Sequence, residues 1–215
     1  MTPGLTVQPI PIVIARVPVE RHHYLHSVPG GTRLCLGVFD GASLQGVVVL
    51  GLGARMAHRL VQGAQPHDGL TLTRLWLDDI LPTNSESWVI GQTVRFLRQH
   101  SPVKFLLSYA DPRAGHVGTI YQATNWIYTG LSQAQPALDL GDGIARHTRS
   151  VGSALGTYSV AYLQAHGIDA QRIPGTGKHR YVLFVDRRWR KRLAVATFPY
   201  PKKGAAEACT SNPCR

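Results

Sequence analysis

Residues 108–130, SYADPRAGHVGTIYQATNWIYTG, gather Asp111, His116, Tyr109, Tyr121, Tyr128, Asn125 and Trp126 into one short stretch. Buried polar groups cost free energy unless each finds a partner, so this density points to a surface or to a site. Asp111 precedes Pro112, on a rigid turn after an apolar run at 103–107. A carboxylate held there can act as a general base or orient an amine, or simply cap the turn. The phenols of Tyr121 and Tyr128 can serve as acids or donate to a developing oxyanion, or they pack in the core with satisfied hydroxyls. Asn125 and Trp126 can hold a nucleobase by hydrogen bonding and stacking, or form a helix cap followed by strand packing.

Three other groups carry possible chemistry. His22, His23, Tyr24 and His26 lie within about one helical turn. His22 and His26 are spaced as a possible metal pair, and an imidazole there can also transfer a proton or contact substrate. Asn84, Ser85, Glu86 and Ser87 stand at an expected helix start, where free N–H groups favour anions, and Arg74 on the preceding strand could serve the same anion. Gly175-Thr176-Gly177-Lys178 hints at a phosphate loop, but Arg172 stands where the first glycine is needed, so an NTPase is excluded. Lys178, His179 and Arg180 remain available for phosphate contact.

Charge narrows the partners. The formal net charge is +11, with 23 Lys and Arg against 12 Asp and Glu. Between 178 and 203 the positive residues are Lys178, Arg180, Arg187, Arg188, Arg190, Lys191, Arg192, Lys202 and Lys203, against Asp186 alone. Such a stripe, interleaved with Tyr181 and Trp189, is the footprint of a polyanion binder, with a solubilising face as the alternative. Cys35, Cys209 and Cys214 are too few for a disulfide framework. No apolar run approaches the roughly 18 residues that span a bilayer, and no secretory signal pattern is seen, so a reducing cytoplasm is expected.

The elements that position these groups follow from periodicity. Residues 1–18 are expected to form an extended arm, followed by a short helix over 19–27. Strands at 33–39 and 44–52 flank Asp40-Gly41 as a hairpin. A strand at 70–77 leads to a helix from Thr83 to about His100, with Thr83 and Glu86 at capping-box spacing and Ile90, Val94 and Leu97 on one face. Strand 103–108 precedes the chemical stretch. Residues 131–150 read as an insertion, 151–166 as one helix ended by Gly167, 181–185 as a strand and 201–215 as a disordered tail. The order implies a single α/β (α+β) domain over 19–200, its helices flanking a mixed, mostly antiparallel central sheet.

The central motif YADPRAGHVGTIYQATNWIYTG resembles the Mom family of phage DNA-modification proteins, as do HHYLH, LTRLW, NSESW and PGTGKHRYVLFVD around it. The resemblance covers residues 20–186. It implies a GNAT-like acyltransferase fold and addition of an acetamido-type (carbamoylmethyl) group to the exocyclic amine of DNA adenine, masking restriction sites. It puts Asp111 and Tyr121 at the catalytic positions, Arg74, Asn84, Ser85 and Ser87 in the donor region, and His23 and His26 in a region linked to activity, with an iron requirement. Tyr24, His116, Asn125, Trp126, Tyr128, Lys178, Arg180, Arg187, Arg188 and Lys191 are the expected substrate and DNA contacts. GNAT enzymes hold acyl-CoA with a glycine-rich loop, but residues 78–84 here read DDILPTN, and two acids repel a pyrophosphate. Acetyl-CoA and an aminoacyl-tRNA therefore both stand as donors. A non-catalytic DNA-binding protein, and an acyltransferase acting on a protein or small amine, are the alternatives.

Overall fold

The structure, a computed structural model, describes residues 4–202. Cys209 and Cys214 and most of the expected tail lie outside the described residues. The chain divides into two compact units. Among described residues the first contains 4–109, 118–130 and 180–202, and the second contains 110–117 and 131–179.

In the first unit β1 (Leu5–Pro9) leads into α1 (Ile12–His22), where an extended arm is expected from the sequence. The helix starts earlier because Ala15 and Val19 bury against Cys35, Val47 and Val49. Tertiary burial outweighs the poor helix propensity of the Ile12–Ile14 run and the internal Pro18. The expected helix over 19–27 is thus displaced: His23 is the C-cap, and residues 23–27 follow in non-helical conformation.

The expected hairpin forms, from β2 (Thr32–Asp40) and β3 (Ser43–Gly51), with its turn one residue later than Asp40-Gly41. Asp40 pairs with Ser43, so the two loop residues are Gly41 and Ala42, with Gly41 at φ +57°. Next come a 3-10 turn (Ala57–Leu60), β4 (Gly69–Leu77), α2 (Ser85–His100) and β5 (Phe105–Ala110). The short helix α3 (Thr119–Ala123) and β6 (Ile127–Leu131) follow.

The second unit carries a 3-10 turn (Pro112–Ala114) and a three-stranded sheet in the order β8-β7-β9, from β7 (Ala137–Asp139), β8 (Arg146–His147) and β9 (Gln171–Ile173). The 131–150 stretch therefore contributes strands. The helix expected over 151–166 is two, α4 (Thr148–Leu155) and α5 (Val160–Ala165). Gly156 at φ +72° ends the first, and the Ser159 hydroxyl accepts from Tyr162 N to start the second. Leu138, Val151, Leu163 and Ala170 form this unit's core. The chain closes with β10 (His179–Phe184) and a cationic 3-10 turn (Arg187–Arg192).

The main sheet has the order β1-β2-β3-β4-β5-β10-β6. The first three pairings are antiparallel and β4–β5 is parallel. That parallel ladder has only three pairs, ending at Thr71↔Leu107, and β4 carries a register shift against β3 beside Thr73. Beyond it the two strands are no longer laddered. The mostly antiparallel mixed sheet with flanking helices matches the sequence expectation.

The capping box does not form. Asn84, in left-handed conformation (φ +71°), is the N-cap of α2 and makes no side-chain capping bond. Thr83→Ala should therefore change stability by less than about 0.5 kcal/mol, against about 1 kcal/mol for a working cap. Leu36→Ala, at a fully buried strand position, should cost about 2–5 kcal/mol. Urea unfolding of the two variants checks both.

Candidate active site

Ser108 sits on β5 just past the end of the parallel ladder and is buried. Its Oγ lies 2.9 Å from Leu72 O on β4 and 2.8 Å from the Tyr121 hydroxyl on α3. A carbonyl only accepts, so it takes the single Ser108 proton, and the Tyr121 hydroxyl donates to Ser108 Oγ. Burial pushes the Tyr121 phenol up to about 12, and nearby Tyr24 and Tyr181 add to the rise.

An aromatic cluster surrounds this pair. The Tyr121 ring is 5.0 Å from Trp126 and 5.3 Å from Tyr181, and Tyr181 is 5.2 Å from Tyr128. Gln122 Nε2 donates to the Tyr181 hydroxyl and to Pro201 O, and the Tyr200 hydroxyl donates to Trp126 O at 2.7 Å. Gly118, at φ +78°, brings α3 against these rings: a Cβ there would sit 2.5 Å from the Tyr181 ring. Sequence reading missed Ser108, Gln122, Tyr181 and Tyr200 as members. Ser108 and Tyr181 read as strand residues, and Tyr200 lies some 80 positions from Tyr121 in a stretch without periodicity.

Residues 23–27 reach the same region through Arg74. Its Nε donates to Ser27 O at 2.7 Å and its Nη1 to Thr73 O at 2.6 Å. Arg74 thus clamps the segment to β4, which commits donors that the sequence reading assigned to a ligand anion. Burial lowers its pKa and the neighbouring Tyr24 opposes the shift. Tyr24 is therefore electrostatically close to both Arg74 and Tyr121. His23 Nδ1 accepts from Leu25 N, and its ring stacks on Tyr24 at 4.6 Å.

The metal expectation does not fit these positions. The His22 ring stacks on Trp76 at 4.9 Å, while His26, beyond the helix end at φ +43°, places Nδ1 2.9 Å from Glu20 O. Without a continuous helix, the spacing of His22 and His26 no longer puts them on one face. Among the described residues no group of three or more His, Cys, Asp or Glu is placed to hold an ion. The donor set present does not suit iron.

Two further expectations change. Trp126 is fully buried and its Nε1 has no hydrogen-bond partner among the described residues, so its faces pack in the core instead of stacking on a base. Ser85 is buried too, its Oγ donating to Pro82 O at 2.6 Å, which removes it from the donor set of the helix end. Asn84 and Asn125 are exposed, the latter at φ +59°, and Ser87 is half-buried.

In the second unit Asp111 Oδ2 lies 2.9 Å from Lys178 Nζ, and Asp111 Oδ1 accepts from Arg113 N. Burial pushes this carboxyl up, but Lys178 and Arg113 together outweigh it and hold its pKa below the usual value. At neutral pH it is ionised, a better orienting acceptor than a proton sink. His116 is exposed on the same turn, its N–H donating to Asp111 O.

Of the cationic residues, Arg180 donates to Thr129 Oγ1 and O, and Arg188 is paired with Asp186 at 2.8 Å. Arg187, Arg190 and Lys191 are exposed. The turn is anchored by Trp189 and Leu193, packed on the core of Phe105, Leu107, Val182 and Phe184. Arg192 stacks over Trp189, 4.4 Å from the ring centre.

The raised phenol pKa values give a signed expectation. Tyr121 and Tyr181, both pushed up to about 12, keep their protons in the fold at pH values where the unfolded chain, near pKa 10, has lost them. Their stabilising contribution is complete below about pH 10 and is lost between about 10 and 12. Tyr121→Phe should flatten the fall in melting temperature across that window. Gly118→Ala, strained in backbone and against the rings, should destabilise by about 2 kcal/mol or more, read by thermal unfolding.

Comparisons with known proteins bear on the family and the fold. The chain is 33% identical over 205 residues to the methylcarbamoylase Mom of Escherichia phage Mu, covering 92% of this chain and 84% of that protein. Among solved structures, Arabidopsis thaliana NAA60 in complex with acetyl-CoA superposes with a TM-score of 0.51 at 10% identity, covering 85% of this chain and 99% of that one. A GNAT-family acetyltransferase from Bacillus cereus covers 84% of this chain and 96% of its own, at 10% identity and a TM-score of 0.43. The fold is GNAT-like. The Mom protein family profile matches residues 4–202, and the chain belongs to the Mom family.

Proposed function

We propose that this chain is a transferase that adds a carbamoylmethyl-type group to the exocyclic amine of adenine in DNA, shielding phage DNA from host restriction enzymes. The observation that carries the reading is the similarity to the phage Mu methylcarbamoylase along 92% of the chain. In the transfer the amine nitrogen attacks the donor's carbonyl carbon, the bond from that carbon to its carrier breaks, and the amine's proton goes to the departing thiolate or alkoxide; a two-carbon aminoacyl donor then leaves an isomer of the carbamoylmethyl group on the amine, whereas an acetyl donor lacks its nitrogen. Asp111, ionised beside Lys178, accepts a hydrogen bond from the amine and orients its lone pair. Tyr121, protonated at all physiological pH values, donates toward the developing oxyanion once its bond to Ser108 is exchanged. Tyr24 and His23 contact the substrate. Arg187, Arg190 and Lys191 hold DNA phosphates.

The donor is an acyl or aminoacyl carrier. Acetyl-CoA is the reading suggested by the structural neighbour that holds it. Asp78 and Asp79, ahead of α2 where a GNAT pyrophosphate would lie, favour an aminoacyl-tRNA instead, with its phosphates on the cationic surface. The reaction belongs to the bacterial host cytoplasm; no helix among the described residues is long and apolar enough to cross a membrane.

Nucleosides from plasmid DNA of bacteria expressing the chain should contain a new deoxyadenosine species by mass spectrometry, absent with Asp111→Ala. A normal yield from that variant would remove Asp111 from the mechanism. The Arg187→Ala, Arg190→Ala, Lys191→Ala triple variant should weaken duplex binding about tenfold or more near physiological salt and shallow the salt dependence.

A further inference from the structure

In the second unit α4 and α5, joined by residues 156–159, cover one face of the three-stranded sheet through Leu138, Val151, Leu163 and Ala170. Their outward sides are polar and aromatic. Arg149, Ser150 and Ser153 are exposed on α4, Tyr158 on the connecting turn, and Tyr162 and His166 along α5. Tyr158 and Tyr162 are 58% and 53% exposed, yet each ring has a seat. Tyr158 lies against α4, where a Cβ on Gly152 would sit 3.2 Å from its ring, and Tyr162 stacks on His166 at 4.0 Å. Rings held in place but left uncovered supply contact area at a low cost in ordering.

Electrostatics select the partner. No acid occurs in residues 143–168. Of the four acids in this unit, Asp111 pairs with Lys178 and Asp142 with Arg146, and Asp139 Oδ1 accepts from the N–H groups of residues 141, 142 and 143, which leaves Asp169. Arg149 and Arg172 have no ion-pair partner among the described residues. Strand register brings Arg172 to the same side as the helices. Arg146 and Arg172 both pair with Leu138, and paired residues of neighbouring strands share a face, here the one that Leu138 turns to α4 and α5. Guanidinium groups, hydroxyls and phenols without carboxylates among them are the groups that hold phosphate and sugar.

We propose that the α4–α5 face is a duplex-DNA contact surface, with Arg149 and Arg172 on backbone phosphates and the phenols of Tyr158 and Tyr162 on the sugar-phosphate edge. This rests on the DNA-modification reading. It adds to the Arg187–Arg192 turn of the first unit a second hold on the substrate, in the unit that carries Asp111. Backbone contacts carry no base sequence, so this face sets affinity and register and not the choice of target.

Fluorescence anisotropy of a labelled duplex tests the surface with the full chain. The combined Arg149→Ala, Tyr162→Ala, Arg172→Ala variant should weaken binding about tenfold or more near physiological salt and lower the log–log salt slope by about two, for two lost phosphate contacts. Ser153→Glu, one helical turn from Arg149 on the same side of α4, adds an acid without removing a contact and should weaken binding about threefold or more. All four positions are exposed, so melting temperatures should stay within about 3 °C of wild type. If the triple variant melts early, Ser153→Glu alone decides. Wild-type affinity and salt slope in the folded variants overturn the proposal. So does a loss confined to a labelled tRNA probe, since the face then serves an RNA carrier. Nucleoside mass spectrometry separates the underlying reading: duplex affinity lost in both variants, with no modified nucleoside from wild type, supports the surface and overturns the modification chemistry.

Discussion

The hydroxyl of Ser108 stands where the sheet stops being a sheet. The parallel β4–β5 ladder ends at Thr71 and Leu107, and one residue later the Ser108 side chain replaces a backbone donor by donating to Leu72 O while it accepts a hydrogen bond from the Tyr121 hydroxyl. Two strands that part inside a protein would leave backbone polar groups without partners, at a cost of about 1–3 kcal/mol each. The serine meets part of that demand and anchors α3 in the same stroke. Tyr121 is thereby held in a buried aromatic cluster at the parting of the strands.

Several arginines that the sequence offers as anion binders serve as internal struts. Arg74 ties residues 23–27 to β4, and Arg180 ties β10 to Thr129 on β6. A guanidinium has several donors in a rigid fork, so two carbonyls or a hydroxyl satisfy much of it, leaving less for a ligand. The positive charge that remains for a polyanion is concentrated on Arg187, Arg190 and Lys191, whose turn is held by Trp189 and Leu193 against the sheet core. A cationic surface on so firm a base spends little free energy on ordering when it meets phosphates.

What could be read from the chain depended on the range of the interaction. The β2–β3 hairpin, the extent of α2 and the strand before Asp111 follow from local alternation, helical period and turn residues. The start of α1 did not, because β-branched Ile12, Val13 and Ile14 disguise a helix that exists by burying Ala15 and Val19. The capping box failed for a similar reason: Asn84 takes the cap position in left-handed conformation, so Thr83 never reaches it. Trp126 looked available as a stacking surface because its neighbours are polar, yet it is fully buried with the Tyr121 ring against it.

The sequence alone determined the family, the mixed sheet and the concentrated positive charge near residue 190. These rest on residue type and on spacings within one element, which survive without coordinates. Tertiary structure alone decided that Asp111 faces Lys178, that the Tyr121 hydroxyl is hydrogen-bonded to Ser108, that Arg74 clamps Ser27, and that Thr71 is buried with a hydroxyl that has no partner among the described residues. Each pairs or encloses groups separated by many residues. Which donor meets which acceptor is set by the packing that brings distant segments together, and no local pattern encodes it.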